Sequence, residues 1–375
     1  MKRIVVCLLI AVFMISACAP KAASTATPAV EATEAAVVTA AAETTAAPAA
    51  TDAATDEVKM MTSTKAPKDK YIIGVSYEGP TNDWAASMMY HLQYSFDIKY
   101  KDKVEKVYYE SADGDATKQV SQIENLLTKN VDALMIQPLS ESALVNVVEK
   151  ATDMGIPVII FGASVLTDKY VTYVDRENYN SGYTIAKWIS ESMGGKGKVV
   201  TIMGEPGSGF SENVLRGVSD ALKEFPGIEN VGTEYGEYSA AVTKQKMETF
   251  LASNPDINGV IVDGGMMGMG IVEAYQDAGL KLPFMTVDDW NGFQKKAVEI
   301  GYTDYISIPG GSGTSAIAAD LLFEYLSGKP IPHQYLVPTK IMSGAEVQAL
   351  IPAGMPDSYW ALSYIPVEYA SQYFK

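Results

Sequence analysis

From Tyr71 onward, short apolar runs alternate with longer stretches in which apolar residues recur at helical spacing. The short runs are rich in β-branched residues and predict strands; they are YIIGVSY, VEKVYYE, VDALMIQ, IPVIIF, YVTYV, GKVVTIM, INGVIVD and LPFMTVD. The longer stretches predict amphipathic helices, as in ATKQVSQIENLLTKN and ESALVNVVEKATDMG. Strands that are apolar throughout, joined by crossover helices, predict parallel sheets covered on both faces.

The alternation occurs in two successive series, which predicts an α/β fold with two doubly wound parallel-sheet domains. In such sheets, ligands bind beyond the carboxyl ends of the strands. A polar residue that follows a strand can also be a turn residue or a helix cap. Together, however, these residues would line a crevice with carboxylates, amides, an arginine and indole rings, which suit a polyhydroxylated ligand. They are Asp113, Gln137, Arg176, Asp263, Asp288, Asp289, Trp290, Asn291 and Ser307.

The N-terminus has the pattern of an export signal. Lys2 and Arg3 precede the apolar run IVVCLLIAVFM, which is too short to span a bilayer comfortably. The following ISAC places small residues directly before Cys18 and resembles the bacterial lipobox. We therefore expect residues 1–17 to be a lipoprotein signal peptide and Cys18 to be the lipid attachment site. An uncleaved anchor helix is the alternative, and both place the rest of the chain outside the cytoplasm.

Residues 18–67 form a segment of different composition. It is rich in Ala, Thr, Glu and Pro, and no aromatic residue occurs between Phe13 and Tyr71. Such a segment cannot bury enough apolar surface to offset the entropy of ordering it. We expect a flexible tether between the lipid and the folded part, with a marginal Ala-rich helix as the alternative.

Composition also excludes several classes of site. The formal net charge of -16 argues against binding to a phosphate backbone. The two cysteines, Cys7 and Cys18, precede the folded part, so it has no disulfide or thiolate metal site. The two histidines, His91 and His333, have no companions at metal-ligand spacing. We therefore expect no nucleic-acid partner, no metal and no cofactor.

The glycine run at 264–270 follows an apolar strand and has the outline of a nucleotide-binding loop. Its spacing, G-G-x-x-G-x-G, is not the dinucleotide fingerprint, and no Walker lysine follows any glycine run. The chain also has no G-x-S-x-G motif. Adjacent carboxylates such as Asp288 and Asp289 usually point apart, unlike the pair of a glycosidase. We therefore expect a binding protein and not an enzyme.

The series of elements resembles the type I periplasmic solute-binding proteins of the ribose-binding family. The resemblance covers about 70–345 and rests on a collinear series of segments: IIGVSYEGPTNDWAAS, the run from DATKQ to VIIF, VDRENYNSGYTIAKWI, GKVVTIMGEPGS, ASNPDINGVIVDGG and FMTVDDWNG. It implies two lobes that close on a ligand about a hinge. It also implies three chain crossings, near Arg176, Ser307 and Val337. The expected lobes are 70–176 with 308–337, and 177–307 with 338–375.

The resemblance also implies roles for particular residues. Asn82 and Trp84 lie where the family has an amide and a stacking aromatic, and Asp113 lies at or within two residues of a ligand-binding Asn. Arg176 lies at the first hinge position that faces the ligand, and Ser307 at a hinge-side Gln. Tyr238 and Asp288 lie at an aromatic and a sugar-binding Asp of the second lobe. Asp289, Trp290 and Asn291 are included as neighbours.

The sequence departs from the family pattern at three places. Gly162-Ala163 replaces an Asp-Arg pair, Val214 replaces an expected Arg, and Gly264-Gly265 replaces an Asn-Asp pair. The glycines predict open space beside Asp263. These changes disfavour plain ribose and indicate a ligand that is larger or differently placed.

We therefore expect a monomeric, lipid-anchored, extracytoplasmic protein that captures a sugar or sugar derivative and delivers it to an ABC transporter permease. The membrane is contacted only through the lipid. Two alternatives stay open: a sensor that presents its ligand to a chemoreceptor or kinase, and a binder of a non-sugar solute such as a polyol or nucleoside.

Overall fold

The computed structural model describes residues 58–375. The predicted signal peptide, Cys18 and most of the predicted tether lie outside these residues. Lys59 to Met61 already belong to the fold, because Met60 and Met61 pair with Pro332 and Ile331 and the Lys59 carbonyl accepts from the His333 N–H. The expected tether boundary at residue 67 is therefore too late in the chain.

The described residues form strands and helices in regular alternation. The strands are β1 (Met60–Met61), β2 (Tyr71–Tyr77), β3 (Val104–Ser111), β4 (Ala133–Ile136), β5 (Val158–Phe161), β6 (Thr172–Arg176), β7 (Lys196–Met203), β8 (Gly227–Tyr235), β9 (Ile257–Val262), β10 (Phe284–Asp288), β11 (Tyr305–Ile308), β12 (Ile331–Pro332), β13 (Gln334–Val337) and β14 (Met342–Ser343). The helices are α1 (Asp83–Tyr94), continued by a π-helical turn (Ser95–Lys99), α2 (Ala116–Leu127), α3 (Val145–Asp153), α4 (Asn178–Ser192), α5 (Gly209–Lys223), α6 (Ala240–Ser253), α7 (Gly265–Asp277), α8 (Asn291–Ile300), α9 (Thr314–Leu326), α10 (Gly344–Ala349) and α11 (Val367–Tyr373).

Two six-stranded sheets define two lobes. The first sheet has the order β13-β6-β5-β4-β2-β3 and the second has the order β14-β11-β10-β9-β7-β8. All strand pairs within them are parallel except β11 with β14. The central strands β4 and β5 are buried along their whole length, as expected for strands covered by helices on both faces. The predicted α/β fold with two parallel-sheet lobes is confirmed.

The chain changes sheet after β6, after β11 and after β13. Between the last two changes, α9 packs on α1, β5 and β6 of the first lobe. Three chain segments therefore connect the lobes. These positions place the carboxyl ends of β6 and β11 next to the space between the lobes.

Two helices of the second lobe pack closely enough to require glycine. A Cβ atom on Gly182 of α4 would overlap the carbonyl group of Val214 in α5, and one on Gly217 of α5 would overlap the carbonyl oxygen of Tyr179 in α4. The absence of side chains at both positions lets the two backbones touch.

Residues 356–375, named here the C-terminal strap, contact both lobes. On the second lobe, the N–H groups of Asn291 and Ala361 donate to the carbonyls of Tyr359 and Asp289 respectively. On the first lobe, the Tyr364 N–H donates to Nε2 of His91 in α1 at 3.0 Å. Helix α11 then packs aromatic rings on α1. Ile365, Ala370 and Phe374 belong to the apolar cluster of the second lobe, and Tyr90 and Tyr94 of α1 pack against that cluster. The end of the strap therefore lies between the lobes, and the assignment of 338–375 to the second lobe stays a prediction.

Candidate functional site

The candidate site lies between the two lobes, at the carboxyl ends of both sheets. The first lobe contributes residues that follow β2, β4 and β6, and the second contributes residues that follow β7, β9 and β10. The lobes touch across this cleft: Trp290 Nε1 of the second lobe donates to Asp83 Oδ2 of α1 at 2.9 Å. The Arg176 guanidinium carbon also lies 4.1 Å from the centre of the Phe210 ring in α5.

Arg176 and Trp84 meet at one backbone carbonyl. Arg176 Nη1 and Trp84 Nε1 both donate to the Gly310 oxygen, at 2.5 and 2.8 Å. The guanidinium carbon lies 5.7 Å from the centre of the Trp84 ring. Arg176 Nε, in turn, lies 3.7 Å from Asp175 Oδ1. The cation is therefore held against two aromatic faces beside the chain crossing that follows β11.

Asp263, directly after β9, is a deeply buried carboxylate. It is 4 % exposed, and its Oδ2 accepts from the Gly204 N–H at 3.3 Å. Its Oδ1 has no hydrogen-bond partner in the described structure. Burial raises the pKa of Asp263 to about 7, although the Gly204 N–H and the charge of Arg176 act in the opposite direction. Such a group is a strong acceptor for a ligand donor.

Asp288, the last residue of β10, is the second buried carboxylate. Its Oδ1 accepts from the Trp290 N–H at 3.1 Å. Burial, followed by the charges of Asp289 and Asp263, raises the pKa of Asp288 to about 7. The N–H groups of Trp290 and Gly265 counteract this rise. The charge of Asp263 therefore reaches Asp288.

Tyr238 covers this carboxylate pair from the β8 side. Its backbone has a positive φ of 48°, which is uncommon for a residue with a side chain and occurs preferentially at functional sites. Burial and then the charge of Asp263 raise the pKa of its phenol well above the usual value. The hydroxyl therefore stays protonated and can donate.

Asp288 occupies part of the space that the glycine run was expected to open. A Cβ on Gly265 would lie 2.6 Å from Asp288 Oδ1, whereas one on Gly264 would lie 3.2 Å from Met267 Cε and in ordinary contact with Tyr238 Cδ1 at 3.4 Å. The interpretation that the glycines make room for a larger ligand is therefore wrong for Gly265, which makes room for the carboxylate of Asp288.

Two of the predicted site residues, Asp289 and Asn291, bind the C-terminal strap and chain segments that precede it. Asp289 accepts from the Gly310 N–H at 2.6 Å and from the Leu362 N–H at 2.7 Å, through different oxygens. The Asn291 amide donates to the carbonyls of Met355 and Pro356 at 3.0 and 2.7 Å. These contacts account for both side chains without a ligand. Their predicted ligand contact has no support in this geometry.

The other predicted residues lie in different surroundings. Asn82 caps α1 through its Oδ1, which accepts from the Ala85 N–H. Asp113 is exposed and paired with Lys118. Ser307 is fully buried within β11, and its hydroxyl has no hydrogen-bond partner. Gln137 is buried after β4, and its Oε1 accepts from the Glu78 N–H at 3.5 Å. Of these four, Gln137 is the one linked directly to a group at the lobe interface.

Sequence reasoning did not single out two carboxylates that come together from opposite lobes. Glu78 directly follows β2 and Glu205 follows β7. Burial and then the charge of Glu205 raise the pKa of Glu78 to about 7, with hydrogen bonds from Thr81 and Gln137 acting in the opposite direction. Asp263 was predicted because ligands of such sheets bind beyond the carboxyl ends of the strands. Glu78 also directly follows a strand, so the same argument could have identified it.

Other chemistry finds no support in the described part of the chain. Among residues 58–375, no three His, Cys, Asp or Glu side chains are arranged to hold a metal ion. No helix there is long and apolar enough to cross a membrane. A surface cavity of about 310 Å³, lined by Tyr71, Tyr100 and Phe323, lies at the amino ends of β2 and β3, which is the opposite end of the sheet from the cleft.

Residues 73–330 match the periplasmic binding protein domain family, and the chain belongs to this family. The resemblance to type I sugar-binding proteins is confirmed. The family consists of binding proteins rather than enzymes, which agrees with the expectation of a binding function.

Two relatives illustrate the similarity in sequence. The xylitol-binding protein of Mycolicibacterium smegmatis is 26% identical over 215 residues, which are 57% of this chain and 61% of the relative. The ribose import binding protein of Bacillus subtilis is 28% identical over 217 residues, which are 58% of this chain and 69% of the relative. The aligned part thus spans less than two thirds of the first of these proteins.

Solved structures show the same fold. An ABC transporter solute binding protein from Thermobispora bispora superposes with a TM-score of 0.68 at 25% identity, covering 77% of this chain and 90% of that one. A periplasmic solute binding protein from Actinobacillus succinogenes with bound D-allose gives a TM-score of 0.67 at 24% identity, covering 75% of this chain and 100% of that one.

Proposed function

We propose that this protein is an extracytoplasmic solute-binding lipoprotein. It captures a small polyhydroxylated solute, a sugar, sugar derivative or polyol, between its lobes and delivers it to an ABC transporter permease. The main support is the meeting of Asp263, Asp288 and Arg176 beside the rings of Trp84 and Tyr238. Carboxylates accept from vicinal hydroxyls, and aromatic faces pack on C–H surfaces.

Family membership supports the transport part of the proposal. The named relatives are a xylitol-binding protein and a ribose import binding protein, and the protein from Thermobispora bispora is an ABC transporter solute binding protein. The lipid anchor at Cys18 rests on the sequence motif. It would keep a monomeric binding protein close to its permease. Labelling cells with a radioactive fatty acid tests the anchor, because the label should be absent from Cys18→Ala.

The test of solute binding is a thermal-shift screen of the ligand-free protein against sugars, polyols and nucleosides. A ligand at 100 times its dissociation constant stabilises the folded form by about 2.7 kcal/mol. Positive compounds are then titrated by calorimetry. If no compound in any of these classes stabilises the protein, the proposed function is wrong.

Two substitutions test the location of the site. Trp84→Ala removes the aromatic face beside Arg176, and Asp288→Ala removes a buried acceptor. Both should abolish most of the affinity while the circular dichroism spectrum stays that of a folded protein. Trp188→Phe is the matched control, because Trp188 packs on Phe284 away from the lobe interface. Unchanged affinity in both test variants would place the site elsewhere.

A further inference from the structure

Several carboxylates of the described residues come together with Arg176 in the cleft. The charge of Asp263 acts on Asp288, and Glu78 and Glu205 approach from opposite lobes. The charge of Arg176 favours the ionised form of Asp263.

Arg176 already contacts several other groups of the protein. It donates to the Gly310 carbonyl, stacks on Phe210 and lies 3.7 Å from Asp175. Part of its charge therefore balances Asp175, which is 2 % exposed. The cation beside Asp263 therefore already has an anionic neighbour.

One carboxylate oxygen points independently to a ligand that donates strongly. Asp263 Oδ1 has no donor among the described residues, although Asp263 is only 4 % exposed. A buried acceptor without a partner destabilises the protein, and the effect is larger for a charged group. A donor supplied by the ligand removes this cost when the lobes close.

The pair of glutamates makes closure itself charge-dependent. Glu78 belongs to the first lobe and Glu205 to the second, so closing the lobes brings two negative charges together. The raised pKa of Glu78 has burial as its largest cause and Glu205 as the next. A positive charge between the lobes reverses this repulsion, whereas a negative one increases it.

We propose that the preferred solute carries a protonated amino group, as in an amino-substituted sugar or polyol. The ammonium group faces Asp263 and Glu78, and the hydroxyls face Asp288 and Arg176. The aromatic faces of Trp84 and Tyr238 accommodate both C–H groups and a cation. This inference rests on the proposed function and narrows its solute class. It also requires that sugar acids and sugar phosphates bind poorly.

The experiment compares compounds that share a carbon skeleton and differ in charge. Calorimetric titrations use D-glucosamine, D-glucose and D-glucuronate, then D-galactosamine, D-galactose and D-galacturonate, and finally serinol and glycerol. They are made at about pH 7.4, above the pKa of about 7 of Asp263 and Glu78, so that these carboxyls are mostly ionised, and below the pKa of about 7.7–8.0 typical of an α-amino group. At least one amino compound should bind about tenfold or more tightly than its neutral partner, because a charge-assisted hydrogen bond is stronger than one between neutral groups. The sugar acids should not bind.

Variants that neutralise one carboxylate test whether the preference for amino compounds arises in the cleft. Glu78→Gln and Asp263→Asn should each reduce the ratio of amino to neutral affinity at least about threefold, which corresponds to about 0.6 kcal/mol. Glu124→Gln is the matched control, since Glu124 is exposed on α2 and paired with Lys150. It changes the net charge equally and should leave the ratio unchanged.

The outcomes separate this inference from the proposed function. If a neutral sugar or polyol binds as tightly as its amino counterpart, or more tightly, the inference is wrong and the proposed function stands. An equal change of the ratio in Glu124→Gln also overturns it, because the preference would then reflect net charge. If no compound of either class binds, in this panel or the broader screen, both proposals are wrong.

Discussion

Asp263 illustrates how a residue of a candidate binding site can reduce the stability of the protein that contains it. Its carboxylate is buried, one of its oxygens lacks a donor, and burial raises its pKa to about 7. The unfolded chain ionises such a group at a pKa near 3.9. The cost of keeping it ionised in the folded state is therefore absent in acid and complete above the folded pKa.

We predict that Asp263→Asn stabilises the ligand-free protein above pH 7. The increase in the free energy of unfolding should be about 1–4 kcal/mol at about pH 8, because the neutral amide avoids burying a charge. The increase should shrink as the pH falls from about 7 towards 4, since the wild-type carboxyl is then protonated in the folded state. Urea unfolding at several pH values measures this difference.

Asp220→Asn serves as the control for this measurement, because Asp220 lies on the surface and pairs with Lys223. It should change stability little above pH 7. If Asp263→Asn instead lowers the free energy of unfolding at high pH, the native carboxylate is better solvated or better paired than the geometry indicates.

The sequence predicted which types of residue lie in the cleft, but it identified only some of the individual residues. Asp263 and Asp288 follow buried strands, so the strand-end rule selected them. Asp289 and Asn291 obeyed a similar rule, but their side chains hold the C-terminal strap. Contacts between residues so far apart along the chain depend on how distant segments pack, and no local pattern reports that.

At the scale of elements, the glycines of the second lobe have two uses that the sequence does not separate. Gly265 leaves space for Asp288. Those at 182 and 217 allow α4 and α5 to touch through their backbones. The first use concerns the site and the second concerns packing, and only the surroundings of each glycine tell them apart.

We predict that Gly217→Ala destabilises the protein by about 1–3 kcal/mol, because an added methyl group in a packed interface forces the backbones apart. This loss should exceed the gain of about 0.8–1.0 kcal/mol in helix propensity from glycine to alanine. The midpoint of denaturant unfolding measures it. Ser219→Ala, at an exposed position on the same helix, should stay within about 0.5 kcal/mol of the wild type. Equal midpoints for the two variants would mean that α4 and α5 separate without cost.

Element prediction succeeded where the apolar pattern was strong. The helices expected over ATKQVSQIENLLTKN and ESALVNVVEKATDMG correspond to α2 and α3. The strand β8 was not predicted, because it lies at a sheet edge and is largely exposed or half-buried. An edge strand needs neither an apolar run nor strict alternation when one side faces water.

On the scale of the whole molecule, the C-terminal strap adds a further connection between the lobes. Asp289 and Asn291 hold its first part on the second lobe. The ring of Phe374 lies 5.0 Å from that of Tyr359 and 5.4 Å from that of Tyr90 on α1. Opening of the lobes must therefore either stretch the strap or release α11 from α1.

We predict that Phe374→Ala lowers the free energy of unfolding by about 3–5 kcal/mol, as for other buried phenylalanines. It should also increase the radius of gyration of the ligand-free protein in small-angle X-ray scattering, because the lobes open more freely. A chain that ends at Leu362 should show the same increase. Leu350→Ala, at an exposed position outside the strap, should change neither quantity. An unchanged radius in both test variants would mean that the strap does not restrain opening.

The sequence by itself determined the alternation of strands and helices, the two-lobed architecture and the type of chemistry at the strand ends. These follow from local periodicity and from the family resemblance, which are both readable along the chain. The tertiary structure decided which of those residues face the cleft, where the last twenty residues lie and what the glycines accommodate. These depend on contacts between segments far apart in sequence, such as Asp289 with Leu362 and Trp290 with Asp83. Only the packing of the complete fold brings those segments together.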